Sequence, residues 1–554
     1  MAAWALWVLL VPVAAELMFV LLVPGAEFGF ASCYSDHMVL QKEPAGAVVW
    51  GYGEPGAMVT VALSEDSGFI ISKKTVQVKG PSGTWTTVLD PMDPGGPYTL
   101  TAMEASRNVT LQDIYFGDVW LCSGQSNMAM TVLQIVNSSQ ELAAAAHYPH
   151  VRLFTAAPAR SDQELEDLEQ IDLPWSIPTA AWKWLSPPTP LLCCCFFLPI
   201  CSCFLNRKSG PWEFLLLLGC LLAVWAVPAR GPRLPRGAGG GGLGRHPHRG
   251  LVLPQGSAGL WAAGGGREPS SSSSLSPWLH LSGPQAPSVL WNAMIHPLLN
   301  LTLQGVLWYQ GEENTHLHTD QYNCTFPALI ADWRWAFHTG STGQNQLLLP
   351  FGFVQLSTYR RQSPDDSFAR LRWHQTADLG VVPNARMPST FMAVAMDLGD
   401  EHSPYGSIHP RDKQTVAHRL HLGARAVAYR EKNLVFQGPY PTRAILDMTR
   451  DLLNITYSQE LVWRHRDMLA FEVCCSSGWL PAPVVTVEFH QVTLALAGCG
   501  TLVLGLRYAW AEWPCDYQSC ALYNAWGLPA PPFLLDTSPS TGGTELLLCP
   551  SSRL

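Results

Sequence analysis

The chain has 554 residues, too many for one domain and enough for two or three. Hydrophobic residues make up 47% and charged residues 14%, which allows a large core and excludes general disorder. A net charge of -9 gives no footing for nucleic acid as a partner.

Residues 1 to 26 read as a secretory signal. The apolar run from Trp4 to Val23 is broken by Glu16, and small residues around Pro24-Gly25-Ala26 suit cleavage. An uncleaved anchor is the rival, but the run lacks basic flanks and is barely long enough to span. Five sequons point the same way: Asn108, Asn137, Asn300, Asn323 and Asn454 each stand two residues before Ser or Thr. The expectation is a glycoprotein of the secretory route, lysosomal or secreted. The 15 cysteines are odd in number, so at least one has no partner within the chain. Cys474, Cys475, Cys499, Cys515 and Cys520 cluster near the C-terminus and suit disulfides in an oxidising compartment. No Cys or His spacing suggests a metal site.

From residue 27 to 112, short apolar runs alternate with Gly/Pro turns. Ala47-Val-Val-Trp-Gly51, Met58-Val-Thr-Val-Ala62, Thr75-Val-Gln-Val78 and Tyr98-Thr-Leu-Thr-Ala102 predict a small β-sandwich with a structural role. From residue 113 the pattern turns α/β. Tyr115 to Cys122 is an apolar strand that runs into Ser123-Gly-Gln-Ser-Asn127, a small polar turn of the kind α/β folds use for catalytic groups. Ser126 would sit there just before a helix. A serine hydroxyl is a poor nucleophile alone, so it needs a histidine base and oxyanion donors from elsewhere. Val151 to Phe154 reads as a further strand, with a helix near Ser139 to Ala146 implying parallel pairing.

Residues 186 to 285 break the pattern. Leu191 to Leu205 and Phe214 to Val227 are apolar runs, each shorter than the ~20 residues needed to span a bilayer. An Arg/Gly/Pro/His span from Arg230 to Arg249 and the serines Ser270 to Ser274 follow. The Gly237 to Gly244 tract lacks the Gly-Lys-Ser/Thr of a phosphate loop. A low-complexity insertion is one reading. The preferred one is intron read-through in a shifted frame, because these are residues of G/C-rich codons.

Ordinary character returns at Ser288. Gly305-Val-Leu-Trp-Tyr-Gln-Gly-Glu-Glu-Asn314 is a second strand ending in a polar turn, and Phe391 to Asp397 is a third, followed by Ser407-Ile-His-Pro-Arg-Asp-Lys-Gln414. Ala328 to Phe337, Leu371 to Asp378 and Lys413 to Tyr429 read as helices, and Pro350 to Leu356 as a strand. Residues 437 to 534 are strand-rich, including Val484 to Phe489, Val492 to Leu496 and Thr501 to Leu504, and suggest a second β-domain. The Ser/Thr/Gly-rich residues 535 to 554 read as a frayed tail.

Three strand ends bearing Ser, Gln/Asn and His, in that order, form the constellation of a serine esterase. Gly124-Gln-Ser-Asn-Met128, Trp308-Tyr-Gln-Gly-Glu-Glu-Asn314 and Ile408-His-Pro-Arg-Asp-Lys-Gln414, with Ser35-Asp-His-Met-Val-Leu-Gln41 near the start, resemble the sialate O-acetylesterases, a branch of the SGNH-type hydrolases. The resemblance covers residues 28 to 185 and 288 to 530. It implies an α/β fold: an SGNH-like doubly wound parallel sheet at 113 to 436, flanked by N-terminal and C-terminal β-sandwich-like domains. It further implies removal of O-acetyl groups from sialic acids, most readily the 9-O-acetyl group, with acetate released and no cofactor. O-acetylated sialic acids and sialoglycoconjugates would be the partners, with no stable membrane span.

Ser126 would be the nucleophile and His409 the base. Relatives often place an Asp two or three residues before this histidine, where this chain has Ser407 and Gly406. Asp397 or Asp400 would replace it, or a backbone carbonyl would orient His409. Oxyanion donors would be the Ser126 N–H and the Asn314 side chain, with Gln125 and Gln310 positioning substrate or turn. Relatives carry a further donor on a Trp-Gly-Gly-Thr-type turn that this chain lacks, so the alternative reading is a catalytically impaired secreted glycoprotein. Glu312 and Glu313 are adjacent on a turn and point apart, which argues against a glycosidase pair. Arg372 and His374 are further candidates for substrate contact.

Overall fold

A computed structural model describes residues 27–178, 198–203, 286, 288–447, 449–464, 470–496, 499, 503–537 and 545–548; for 198–203 and 545–548 the backbone alone is described. The expected signal, residues 1 to 26, and the Arg- and Gly-rich tract within 204 to 285 lie outside the described residues.

The spine of the molecule is one strand, β1 (Arg107–Gly124). Its first half alternates between exposed and buried positions, as a strand with one wet face does, and pairs antiparallel with Gly95–Glu104 of the N-terminal meander. Its second half is buried on both sides and enters the central sheet. The strand therefore crosses residues 112 and 113 without a break. A separate three-stranded sheet (Gly29–Phe30, Val48–Tyr52, Thr84–Val88) completes the N-terminal region.

After β1 come α1 (Ser126–Ala129), α2 (Ser138–Ala145), β2 (Arg152–Ala156), β3 (Ile171–Ser176), β4 (Leu198–Cys203), β5 (Gly305–Tyr309), α3 (Tyr322–Gly340), β6 (Phe351–Gln355), α4 (Ser367–His374), β7 (Thr390–Val394) and α5 (Lys413–Val427). The sheet order is β3-β2-β4-β1-β5-β6-β7. β1, β5, β6 and β7 are mutually parallel. β4 lies between β1 and β2, antiparallel to both, and β3 is antiparallel to β2. The expected parallel pairing of the strand at 151–154 with the serine strand is thus corrected. The two point the same way, but part of the apolar run read as foreign occupies the slot between them.

Every residue of β5, β6 and β7 is buried, the signature of strands covered on both faces. Leu307, Gly352 and Phe391 are in register on one face. Gly423 of α5 packs there against the Phe391 ring, where a Cβ would approach to 2.5 Å. Trp308, Phe351 and Phe353 on the other face receive Phe326 and Trp333 of α3. Helices therefore flank the sheet on both sides.

The C-terminal region is a nine-stranded antiparallel sheet. It includes Phe533–Thr537 and Glu545–Leu548, which pair with each other, the latter also with Pro441–Asp447. The frayed tail expected from residue 535 is corrected accordingly: apolar Leu546 to Leu548 are strand residues. Disulfides join Cys475 to Cys499 and Cys515 to Cys520, and among the described residues Cys474 is a free thiol. Among the described residues no helix is long and apolar enough to cross a membrane.

Candidate functional site

The parallel strands β1, β5 and β7 deliver their C-terminal ends to one edge of the sheet, where open α/β folds bind ligands. At the end of β1, Gly124 has φ +153, and a Cβ there would lie 2.1 Å from the Tyr309 carbonyl oxygen. Only glycine lets the two backbones meet so closely. The Gln125 N–H then donates to the same carbonyl at 2.9 Å, extending the ladder by one residue. The chain turns into α1 and leaves Ser126 exposed at the rim. As the first residue of that helix, Ser126 has a backbone N–H with no intrahelical acceptor.

His409 arrives on the turn between β7 and α5, where its N–H donates to the Gly406 carbonyl and its own carbonyl accepts from Ser403 Oγ. His409 Nε2 lies 2.8 Å from Ser126 Oγ. Its Nδ1 lies 2.8 Å from the Tyr405 carbonyl oxygen. A carbonyl only accepts, so Nδ1 carries the proton and Nε2 presents its lone pair to the serine. Burial pushes the imidazole below its ordinary pKa. The Tyr405 bond acts in the other direction, and the nearby Lys413 charge adds to the lowering.

Neither carboxylate considered for orienting His409 does so. Asp397 is fully buried and forms a two-pronged ion pair with Arg419 at 2.6 and 2.8 Å, with a third bond from Tyr523. Asp400 is engaged by Arg411 at 2.6 and 3.1 Å. Each takes the nearest guanidinium, whose planar fork matches a carboxylate, and the Tyr405 carbonyl takes their expected place.

The amides after β5 form an internal ladder. Gln310 Nε2 donates to Gln125 Oε1 at 3.2 Å and to Asn314 Oδ1 at 2.7 Å, while Tyr322 donates to Gln310 Oε1. Asn314 is 1% exposed and turns its own N–H toward the Leu317 carbonyl. The sequence leads one to expect this amide as an oxyanion donor; in the structure one of its two N–H groups faces its own turn. Arg372 and His374 are buried too, which corrects their reading as substrate contacts. Arg372 donates to the carbonyls of Leu356, Ser357, Ala511 and Glu512, tying α4 to the C-terminal region. His374 is held by Asp378.

Asn127 and Lys413 have no role in the sequence reading, and Glu312 enters it only as half of a rejected glycosidase pair, yet the three meet in the structure. Asn127 donates from Nδ2 to Glu312 Oε1 at 2.6 Å and to the Ile408 carbonyl at 2.9 Å. Lys413 Nζ donates to Asn127 Oδ1 at 2.8 Å. Each motif contributes one member to this buried cluster, and that three-way distribution was the available signal. Glu313, in contrast, is only half-buried, so the adjacent glutamates do diverge.

A cavity of about 500 Å³ beside the histidine loop is lined by Asp400, His402, Arg411, Trp513 and Tyr517, among others. Of the sequon asparagines, Asn108 and Asn137 are exposed. Asn323 donates its amide to Asp378, and Asn454 accepts from Gln491 and Thr493 across the sheet. Asn300 is half-buried. Among the described residues no cluster of His, Cys, Asp and Glu could hold a metal ion.

Comparison with known proteins adds to this geometry. The family model of the sialate O-acetylesterase C-terminal domain matches residues 442–537. The sialate O-acetylesterases of Homo sapiens and Pongo abelii are each 48% identical over 534 residues, covering 92% of this chain and 93% of the relative. That of Mus musculus is 48% identical over 533 residues, covering 93% and 95%. The crystal structure of a carbohydrate acetylesterase from Xanthomonas citri superposes with a TM-score of 0.65, covering 92% of this chain and all of that one at 24% identity, a likeness of fold.

Proposed function

The chain belongs to the sialate O-acetylesterases, and from that premise we propose that it hydrolyses O-acetyl esters of sialic acids through a Ser126–His409 pair. The observation that carries this reading is the 2.8 Å contact of His409 Nε2 with Ser126 Oγ, with Nδ1 committed to the Tyr405 carbonyl. His409 takes the Ser126 proton as Oγ attacks the acetyl carbonyl carbon, and returns it to the departing sugar hydroxyl. Water, activated by the same imidazole, then cleaves the acetyl-serine and frees acetate. The Tyr405 carbonyl does what a triad carboxylate does for the tautomer, without supplying its negative charge. The Ser126 N–H is the oxyanion donor at hand. The route draws on no cofactor.

The 9-O-acetyl group, the least hindered, is the proposed position. The cavity beside the histidine loop suits the body of the sugar, with Tyr517 offering an aromatic face and Arg361, stacked on Trp513, among the charged groups at the edge. The alternative of an impaired glycoprotein has less in its favour, since the relatives match nearly the whole chain at high identity. The proposed organisation is a signal at 1 to 26, a β-sandwich-like region at 27 to 112, an SGNH-like esterase region at 113 to 436 that shares the strand Arg107–Gly124 with it, and a C-terminal β-region from 437 that takes in the strands to 548. Two disulfides and exposed sequons at Asn108 and Asn137 support a secreted or lysosomal glycoprotein.

The test is acetate release from 9-O-acetylated sialic acid by the purified chain across pH. His409 must be neutral to act as base, and its pKa is depressed below 6.5, so activity should persist through 6.5 and fall only at lower pH. A profile already half lost at pH 7 would contradict the assignment. A second expectation concerns the orienting group. Asp400→Asn keeps an acceptor for Arg411 and should change kcat by no more than about threefold, whereas amidating a true triad acid costs about 10⁴-fold. A loss approaching that size would restore Asp400 to the mechanism.

A further inference from the structure

The contact between Ser126 and His409 joins two loops far apart in the chain, and something must hold them in register. α1 is a single turn, and the turn bearing His409 follows a long irregular connection from β7. Directly beneath the pair lies the desolvated cluster of Asn127 (1% exposed), Glu312 (9%) and Lys413 (1%). Asn127 is the neighbour of Ser126, and the carbonyl it holds belongs to Ile408, the neighbour of His409. One amide therefore spans the two halves of the site.

We propose that Lys413 and Asn127 are positioning residues: Lys413 fixes the orientation of the Asn127 amide, the amide ties the Ser126 turn to the His409 loop, and the lysine's charge favours a neutral His409. The orientation follows from donor chemistry. An ammonium has no lone pair, so it requires the amide oxygen. That leaves Nδ2 with two hydrogens for its two acceptors, Glu312 Oε1 and the Ile408 carbonyl. Turning the amide over would set Nδ2 against Lys413 and Oδ1 against a carbonyl and a carboxylate, three mismatches in a dry site.

The surrounding charges are few. Glu312 faces the lysine through the shared amide, and its Oε2 is buried with no hydrogen-bond partner among the described residues. Asp412 caps α5 at Thr415 and accepts from Tyr517, and Asp400 is paired with Arg411. The Tyr309 ring lies 4.9 Å from Lys413 Nζ. On the histidine side stand Ser126, the Tyr405 carbonyl and Lys413 itself. Burial lowers Lys413 to about 7 although Glu312, Asp412 and Asp400 oppose this, and it raises Glu312. The lysine is thus cationic on the acid side of neutrality, where protonation of His409 would otherwise end activity.

This inference rests on the proposed serine esterase mechanism, and three variants separate the two. Lys413→Met removes bond and charge, Lys413→Gln keeps a donor without the charge, and Asn127→Leu removes the bridge but keeps the charge. All are measured for kcat against KM and for the acid limb of kcat/KM, with 9-O-acetylated sialic acid as substrate. Lys413→Met should lose about 10- to 100-fold in kcat with little change in KM, and its acid limb should move to higher pH. Lys413→Gln should retain more kcat yet show the same displacement. Asn127→Leu should lose kcat with the limb unmoved. Damage that is merely structural would lower active fraction without shifting the limb, so unshifted limbs in both lysine variants overturn the proposal. If neither lysine variant folds, Asn127→Leu decides: a fall in kcat per active site of about tenfold or more with KM and the limb unmoved upholds the bridge, and a kcat within about threefold of the unaltered chain overturns it. Wild-type turnover that survives Ser126→Ala would instead overturn the esterase mechanism itself.

Discussion

Ser126→Ala is expected to lower kcat for acetate release by about 10⁴- to 10⁶-fold while leaving the fold intact. The side chain is exposed and among the described residues its bond is to His409 alone, so its removal should alter stability by no more than about 0.5 kcal/mol. KM should change little, because the groups that would grip the sugar are elsewhere. His409→Gln should cost nearly as much, since nucleophile and base act as a unit and their losses do not add. A fluorophosphonate should label the wild-type chain at Ser126 and should leave Ser126→Ala unlabelled. Acetate release within tenfold of wild type in the alanine variant would remove the acetyl-serine from the mechanism.

What the sequence revealed of this site follows from where the information is local. A strand buried on both faces must be an unbroken apolar run, so Gly305 to Tyr309 and Phe391 to Val394 were visible, as were the polar turns that end them. The placing of Ser126 at a helix start needed only the small residues Gly124 and Ser126 on either side of Gln125. The orienting group of His409 was not visible, because a carboxylate's destination depends on cations distant in sequence. Arg419 captures Asp397 from 22 positions away. The inward turn of Asn314 depends on Leu317 and Gln310 through the local backbone geometry. The strand at Leu198–Cys203 was hidden for a different reason. An apolar run without punctuation reads equally well as membrane, core or noise, and its slot beside β1 becomes defined only by the pairing of its backbone.

Arg419→Met should destabilise the protein by about 3–5 kcal/mol, the usual consequence of leaving a buried charge without its partner. Asp397 is fully buried at the end of β7, and Arg419 reaches it from α5 with both arms while also donating to the Val394 carbonyl. Tyr523 adds a bond to the carboxylate from the C-terminal region, and the Gln518 N–H donates to the Asp397 main-chain carbonyl, so this one residue joins three parts of the chain. Methionine fills much of the arginine's volume, and the loss therefore isolates the charge rather than a void. The thermal midpoint should fall by roughly 10 °C. Because the cost lies in the stranded carboxylate, the double variant Asp397→Asn/Arg419→Met should recover a substantial part of it. The connection carrying His409 begins at Asp397, so kcat should fall in the single variant and recover with the midpoint in the double. A double variant no more stable than Arg419→Met would show that packing, and not the unpaired charge, sets the cost at this junction.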